Sequence, residues 1–114
     1  MQPADPFAPE TLTRAELDAL PGATVVEFGT NWCGWCARAQ PMLAQALIGK
    51  PGGHDDLRLL KVEDGSGRPL GRSFGIKLWP TLVFMRNGVQ VAKLVRPDNI
   101  EQVRQALAQI QSIA

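Results

Sequence analysis

The sequence predicts an α/β domain in which a mixed central sheet lies between helices on both faces. Three observations carry that prediction. Runs of apolar and β-branched residues alternate with helical repeats along the chain, the pattern of strand–helix–strand connections rather than of a bundle or a sandwich. Asn87-Gly88 stands between two strand-like runs, a type I′ hairpin signal that makes at least one strand pair antiparallel. With 114 residues, 45% hydrophobic and 20% charged, the chain has the size and balance of a single globular domain with its own core.

The elements follow in order. Pro3, Pro6 and Pro9 remove backbone donors, so residues 1–12 read as an N-terminal extended segment and residues 13–114 as the folded domain. Thr13 and Glu16 fit a capping box, Leu12 and Leu17 fit the hydrophobic staple around it, and Pro21 ends that short helix. Thr24-Val25-Val26-Glu27-Phe28 reads as a strand buried on both faces, interrupted only by the glutamate. From Cys33 the spacing turns helical. Ala39, Met42, Leu43, Ala46 and Leu47 share one face, and Pro41 inside the helix is expected to kink it. Lys50-Pro51-Gly52-Gly53-His54-Asp55-Asp56 is a loop. Leu57–Val62 is a second strand, and Pro69–Phe74 a short helix stopped by Gly75. Thr81–Met85 and Val89–Val95 are the arms of the hairpin. Asp98 with Glu101 is expected to cap a last helix with Ile100, Val103, Leu107 and Ile110 on one stripe. Two strand–helix–strand crossovers and then a hairpin give the mixed sheet.

Composition removes several classes of function. The net charge is +1, which offers no concentrated positive field for nucleic acid. No apolar run approaches the roughly 18 residues that span a bilayer. The opening MQPADPFAPE lacks the basic and apolar regions of a secretory signal, which points to the cytoplasm; a periplasmic protein whose leader has been removed also fits. Two cysteines are too few for a disulfide framework.

Their placement is informative. Cys33 and Cys36 form a C-x-x-C pair, flanked and separated by Trp32, Gly34 and Trp35. Such a pair can be half a zinc site, a structural pair or a redox dithiol. Structural zinc needs four ligands, and the chain adds only His54 in a distant loop, so no metal site is expected within one chain. An iron–sulfur cluster shared by two chains would draw on four thiolates. Context favours redox chemistry. A strand runs into the motif and a helix starts at it, so the Cys33 sulfur meets unpaired N–H groups and the positive end of the helix dipole, which favour a thiolate. Cys36 lies one turn further in. That asymmetry makes Cys33 the nucleophile and Cys36 the resolving thiol.

Trp32-Cys33-Gly34-Trp35-Cys36 resembles the W-C-G-P-C motif of the thioredoxin family. Pro41 matches the family's kinking helix proline, Trp79-Pro80-Thr81 its cis-proline segment, and Phe84-Met85-Arg86-Asn87-Gly88 its hairpin. The resemblance runs from about Thr24 to the C-terminus and implies the thioredoxin fold. It also implies a thiol–disulfide oxidoreductase with no cofactor beyond the Cys33–Cys36 disulfide, acting on protein disulfides and drawing electrons from a dithiol or a reductase, as a monomer. By position, Glu27 falls where family members usually have a buried aspartate that relays a proton from the resolving cysteine, and Lys61 matches the lysine paired with it. As a plain strand residue, Glu27 or Lys61 would instead reach solvent. Pro80 should follow a cis peptide, with the backbone at Trp79 open to an extended substrate strand. Trp32, Trp35 and Trp79 would form an apolar rim around the sulfur. Three residues depart from the family pattern: Trp35 replaces a proline, Trp79 a smaller aliphatic residue, and Arg96 a glycine of the docking groove. An oxidase or isomerase in an oxidising compartment, or a redox-inactive interaction module, are the competing readings.

Overall fold

The structure is a computed structural model and describes residues 3–48 and 57–111. The loop expected at residues 50–56, with His54, lies outside the described residues.

Eight elements follow one another: α1 (Arg14–Asp18), β1 (Ala23–Gly29), α2 (Gly34–Ile48), β2 (Leu57–Glu63), α3 (Pro69–Ser73), β3 (Thr81–Arg86), β4 (Val89–Val95) and α4 (Ile100–Ile110). The four described strands form one sheet in the order β2-β1-β3-β4. β2 runs parallel to β1, as a helical crossover requires. β3 runs antiparallel to β1 on its other side, and β4 antiparallel to β3. The second connection therefore carries the chain across β1 and reverses it, which completes the mixed sheet.

β1 is buried along its whole length because both its edges are paired and both its faces are covered. Its side chains alternate. Ala23 and Val25 pack with Leu43, Leu47, Val103 and Leu107 of α2 and α4, whereas Val26 and Phe28 pack with Leu17, Leu70 and Phe74 on the α1 and α3 side. The same alternation sends Glu27 and Gly29 toward α2, which sets the chemistry described below.

Local signals behave as expected at most element ends. The Thr13–Glu16 capping box forms with both reciprocal bonds. Gly75, after α3, has φ +68°. At the start of α4 the cap is Asn99 rather than Asp98: the Asn99 side chain accepts from the Glu101 N–H at 2.8 Å. The two residues are equally good caps by type, and the turn out of β4 decides which one stands at the helix entry. Pro41 sits inside α2 as expected.

The N-terminal segment packs on the sheet. Ala8 bridges Val62 in parallel fashion, with the Ala8 N–H donating to the Lys61 carbonyl at 3.2 Å and the Glu63 N–H to the Ala8 carbonyl at 2.7 Å. Phe7 is buried, and its backbone is clasped by Asn31, which accepts from the Phe7 N–H at 2.8 Å and donates to its carbonyl at 3.0 Å.

Asn87 and Gly88 have φ 51° and 79°, as a type I′ turn demands, and the turn docks on the end of α1. A Cβ on Gly88 would overlap the Asp18 carbonyl oxygen. Gly88→Ala is expected to destabilise the protein by about 2 kcal/mol or more, because the left-handed conformation alone costs an L-residue about 1–2 kcal/mol. Urea denaturation midpoints check this; an unchanged midpoint contradicts the docking of the turn. No described helix is long and apolar enough to cross a membrane.

Candidate functional site

The C-terminal end of β1 delivers the chain into the first turn of α2, and there the two cysteines sit. Cys33 stands immediately before the helix in the capping position. Its Sγ accepts the Cys36 N–H at 3.2 Å, taking the place a serine or aspartate oxygen holds in an ordinary cap. The sulfur thus engages one of the backbone N–H groups that the start of a helix leaves without an intrahelical partner. Cys33 is partly exposed and Cys36 is buried, both with free thiols. Burial, more than anything else, pushes the Cys36 thiol up to about 12; its hydrogen bond with Cys33 adds to this and a backbone bond at Thr30 opposes it. One sulfur is therefore presented to solvent as an acceptor, and the other is held protonated behind it.

Gly29 makes that arrangement possible. A Cβ there would lie 2.7 Å from the Cys36 sulfur and 2.7 Å from the Phe7 ring. The bare backbone lets β1, Cys36 and the N-terminal segment meet.

Beneath Cys36 lies a buried polar network. Glu27 is fully buried, and desolvation, larger than any other influence on it, holds its carboxyl above the usual carboxylate range. The Gln40 amide donates to Glu27 Oε2 at 2.9 Å and to the Cys36 carbonyl at 3.0 Å, and its oxygen accepts from Lys61 Nζ at 2.8 Å. Lys61 is likewise buried; its Nζ donates to the Pro3 carbonyl at 2.7 Å and lies 4.8 Å from the centroid of the Phe7 ring. Neither side chain reaches solvent as a plain strand residue would. Both face α2 because they are register partners on adjacent parallel strands. Gln40 stands between them as the bridge. Glu27 Oε1 has no hydrogen-bond partner among the described residues.

Around the dithiol, the Trp79–Pro80 bond is cis. The Trp79 indole N–H donates to Asp64 Oδ2 at 2.8 Å, and its ring meets that of Trp32 edge-on at 5.5 Å. Trp32 is 76% exposed and Trp35 49%, so the aromatic rim is largely open to solvent. It is divided, however. Trp32 and Trp79 form one side, whereas Trp35 has Arg38 and Arg96 over its ring, at 4.3 Å and 4.6 Å from its centroid. Arg96 has φ 47°, and its Nε donates to the Trp79 carbonyl at 2.8 Å. That carbonyl, expected to be open for a substrate strand, is already engaged by a side chain. Gly34 lies on the exposed first turn of α2, with open space where a side chain would stand.

A family model described as Thioredoxin matches residues 12–109. The chain belongs to the thioredoxin family. Thioredoxin 2 from Pseudomonas aeruginosa PAO1, solved in its reduced form, is 47% identical, with TM-score 0.78 over 94% of this chain and 95% of that one. Thioredoxin H9 from Arabidopsis thaliana is 31% identical over 99 residues, 87% of this chain and 68% of that protein. A protein disulfide-isomerase from Gallus gallus is 35% identical over 68 residues, 60% of this chain. The chain covers only 13% of that isomerase's length.

For a thioredoxin-family chain, four residues at the site went unnoticed in the sequence. Gln40 follows Cys36 by four positions, so the helical period puts it on the face that looks down at Glu27; that spacing was a readable signal. Gly29, a glycine ending a strand just before the motif, was another. Arg38 follows Trp35 by three positions on α2, an i,i+3 helical pair and so also a readable signal. Asp64 gave no local sign, because the Trp79 indole it serves is brought to it by the fold. Among the described residues no group of three or more His, Cys, Asp or Glu side chains is placed to hold a metal ion.

Proposed function

We propose that the protein is a thiol–disulfide oxidoreductase that reduces protein disulfides. The observation that carries this reading is the unequal pair at the start of α2: an accessible Cys33 sulfur accepting a backbone N–H at 3.2 Å, with the buried thiol of Cys36 behind it.

The exchange runs in two steps. The Cys33 thiolate attacks one sulfur of the substrate disulfide. The Cys33–substrate S–S bond forms, the substrate S–S bond breaks, and the first substrate thiolate leaves. Cys36 then gives its proton to Glu27 and attacks Cys33 Sγ, which releases the second substrate thiolate. Two electrons have passed to the substrate, and the chain is left with a Cys33–Cys36 disulfide. A dithiol or a reductase must return the electrons before the next cycle. Glu27 suits the proton step because Gln40 occupies only its Oε2, which leaves the buried Oε1 as an acceptor without a hydrogen-bond partner among the described residues.

A second reading, disulfide isomerisation or oxidation, is favoured by the 68-residue match to the chicken protein disulfide-isomerase. Insulin reduction with dithiothreitol as donor tests both. The reductant reading expects rapid precipitation of the insulin B chain, abolished by alkylating Cys33. Failure to accelerate precipitation, together with reactivation of scrambled ribonuclease, would replace it with the second.

A further inference from the structure

Beside the dithiol the surface opens into a groove of about 210 Å³ lined by Trp35, Arg38, Met42, Pro80, Arg96 and Asp98, among others. It begins at Trp35, one of the two residues between the cysteines, and runs along the cis-proline corner.

The groove has an apolar floor and cationic walls. The guanidiniums of Arg38 and Arg96 both stack on the Trp35 ring, at 4.3 Å and 4.6 Å from its centroid. Stacking holds each planar fork in place, so less freedom is lost when it engages a carboxylate. Arg96 is positioned further by its bond to the Trp79 carbonyl at 2.8 Å. Among the described residues neither arginine belongs to an ion pair; the pairs formed are Arg14–Asp18, Arg68–Glu63 and Arg104–Glu101. Asp98 is the single carboxylate in the lining, against two guanidiniums, which leaves the groove positive on a chain whose net charge is only +1. Arg96 also occupies a left-handed conformation, φ 47°, that favours glycine.

We infer that this groove selects disulfide substrates carrying an acidic side chain next to the attacked cysteine, with Arg38 and Arg96 as the specificity-determining residues. The inference rests on the reading of Cys33 as the exchanging thiol. The carboxylate of the bound strand takes up the free guanidinium donors, while the apolar part of the strand covers the Met42 and Pro80 floor. Complementary charge at a rim of this kind acts mainly on encounter and orientation, so its signature is a salt-dependent rate.

Two peptide disulfides of equal length, one with Asp and one with Lys beside the cysteine, test it. The expected result at low ionic strength is reduction of the Asp peptide about tenfold faster, the size of one exposed attraction exchanged for one repulsion. The preference should shrink to about twofold near 1 M salt, where the Debye length is about 3 Å. It should also shrink to about twofold in an Arg38→Ala/Arg96→Gly double variant. That variant removes one exposed side chain and gives the left-handed position the residue that suits it. Equal rates for the two peptides, or a faster Lys peptide, overturn the inference and leave the dithiol chemistry standing. If neither peptide is reduced, the reading of the dithiol fails and the inference fails with it.

Discussion

Replacing Cys36 with serine is expected to stop the cycle after one exchange and leave the substrate covalently bound to Cys33. The first step needs only the exposed sulfur and the N–H that faces it, and both remain: the Cys36 N–H is a backbone group. The second step needs a thiol that can attack Cys33 Sγ, and a serine hydroxyl cannot resolve a disulfide. Turnover should fall by about three orders of magnitude or more, the scale on which removal of a covalent participant acts. Intact mass spectrometry without reductant should show the chain plus one substrate, and added dithiothreitol should release it. Cys33→Ser should form no such adduct. A Cys36→Ser protein that turns over near the wild-type rate would end the assignment of roles.

The second large effect belongs to Glu27. In the mixed disulfide, Cys36 must lose a proton from a thiol whose burial opposes ionisation, and the buried carboxylate is the acceptor proposed for it. Glu27→Gln keeps the shape and removes the base, so release of the second thiolate is expected to slow by about 10²-fold, the lower range for a positioned general base. Formation of the Cys33 adduct, measured on the Cys36→Ser background, should not change. A structural role alone would disturb both steps.

The pH dependence follows from the same group. The Glu27 carboxyl lies above its ordinary 4.5 in the folded chain. Only its ionised form accepts a proton, so the resolving rate of the wild type should climb with pH as Glu27 ionises, and Glu27→Gln should lose that limb. Stability moves the other way. Between 4.5 and the raised folded value the native state binds more protons than the unfolded chain, so stability is fully present below 4.5 and falls as pH rises through the folded value. The slope is about 1.4 kcal/mol for every pH unit of that window. Urea midpoints taken across the acidic and neutral range should show this fall in the wild type and its absence in Glu27→Gln. Identical profiles for the two proteins would mean that Glu27 does not carry the buried proton.

Much of the fold was legible because its signals are local. The Thr13 capping box, the Asn87-Gly88 turn, the apolar stripes of α2 and α4 and the unbroken apolar run of β1 each lie within a few residues. Each also states its own physical requirement. The dithiol was legible for the same reason, since C-x-x-C between a strand and a helix already places one sulfur at the helix entry. The cap of α4 is Asn99 and not the expected Asp98, because two adjacent good caps can be told apart only by the path of the preceding turn.

By itself, then, the sequence determined the order and type of the elements, the site at the head of α2 and the unequal standing of its two cysteines. These depend on hydrophobic period, turn chemistry and helix termini, which act between neighbours in the chain. The tertiary structure alone decided that β3 lies antiparallel against β1, that Gln40 bridges Glu27 and Lys61, that Asp64 holds Trp79, and that two arginines meet on Trp35. Arg38 and Arg96 are 58 residues apart in the chain, and no local rule relates them. They meet because closing the core around β1 brings the first turn of α2 beside the end of β4, and what faces what across that seam is settled by packing.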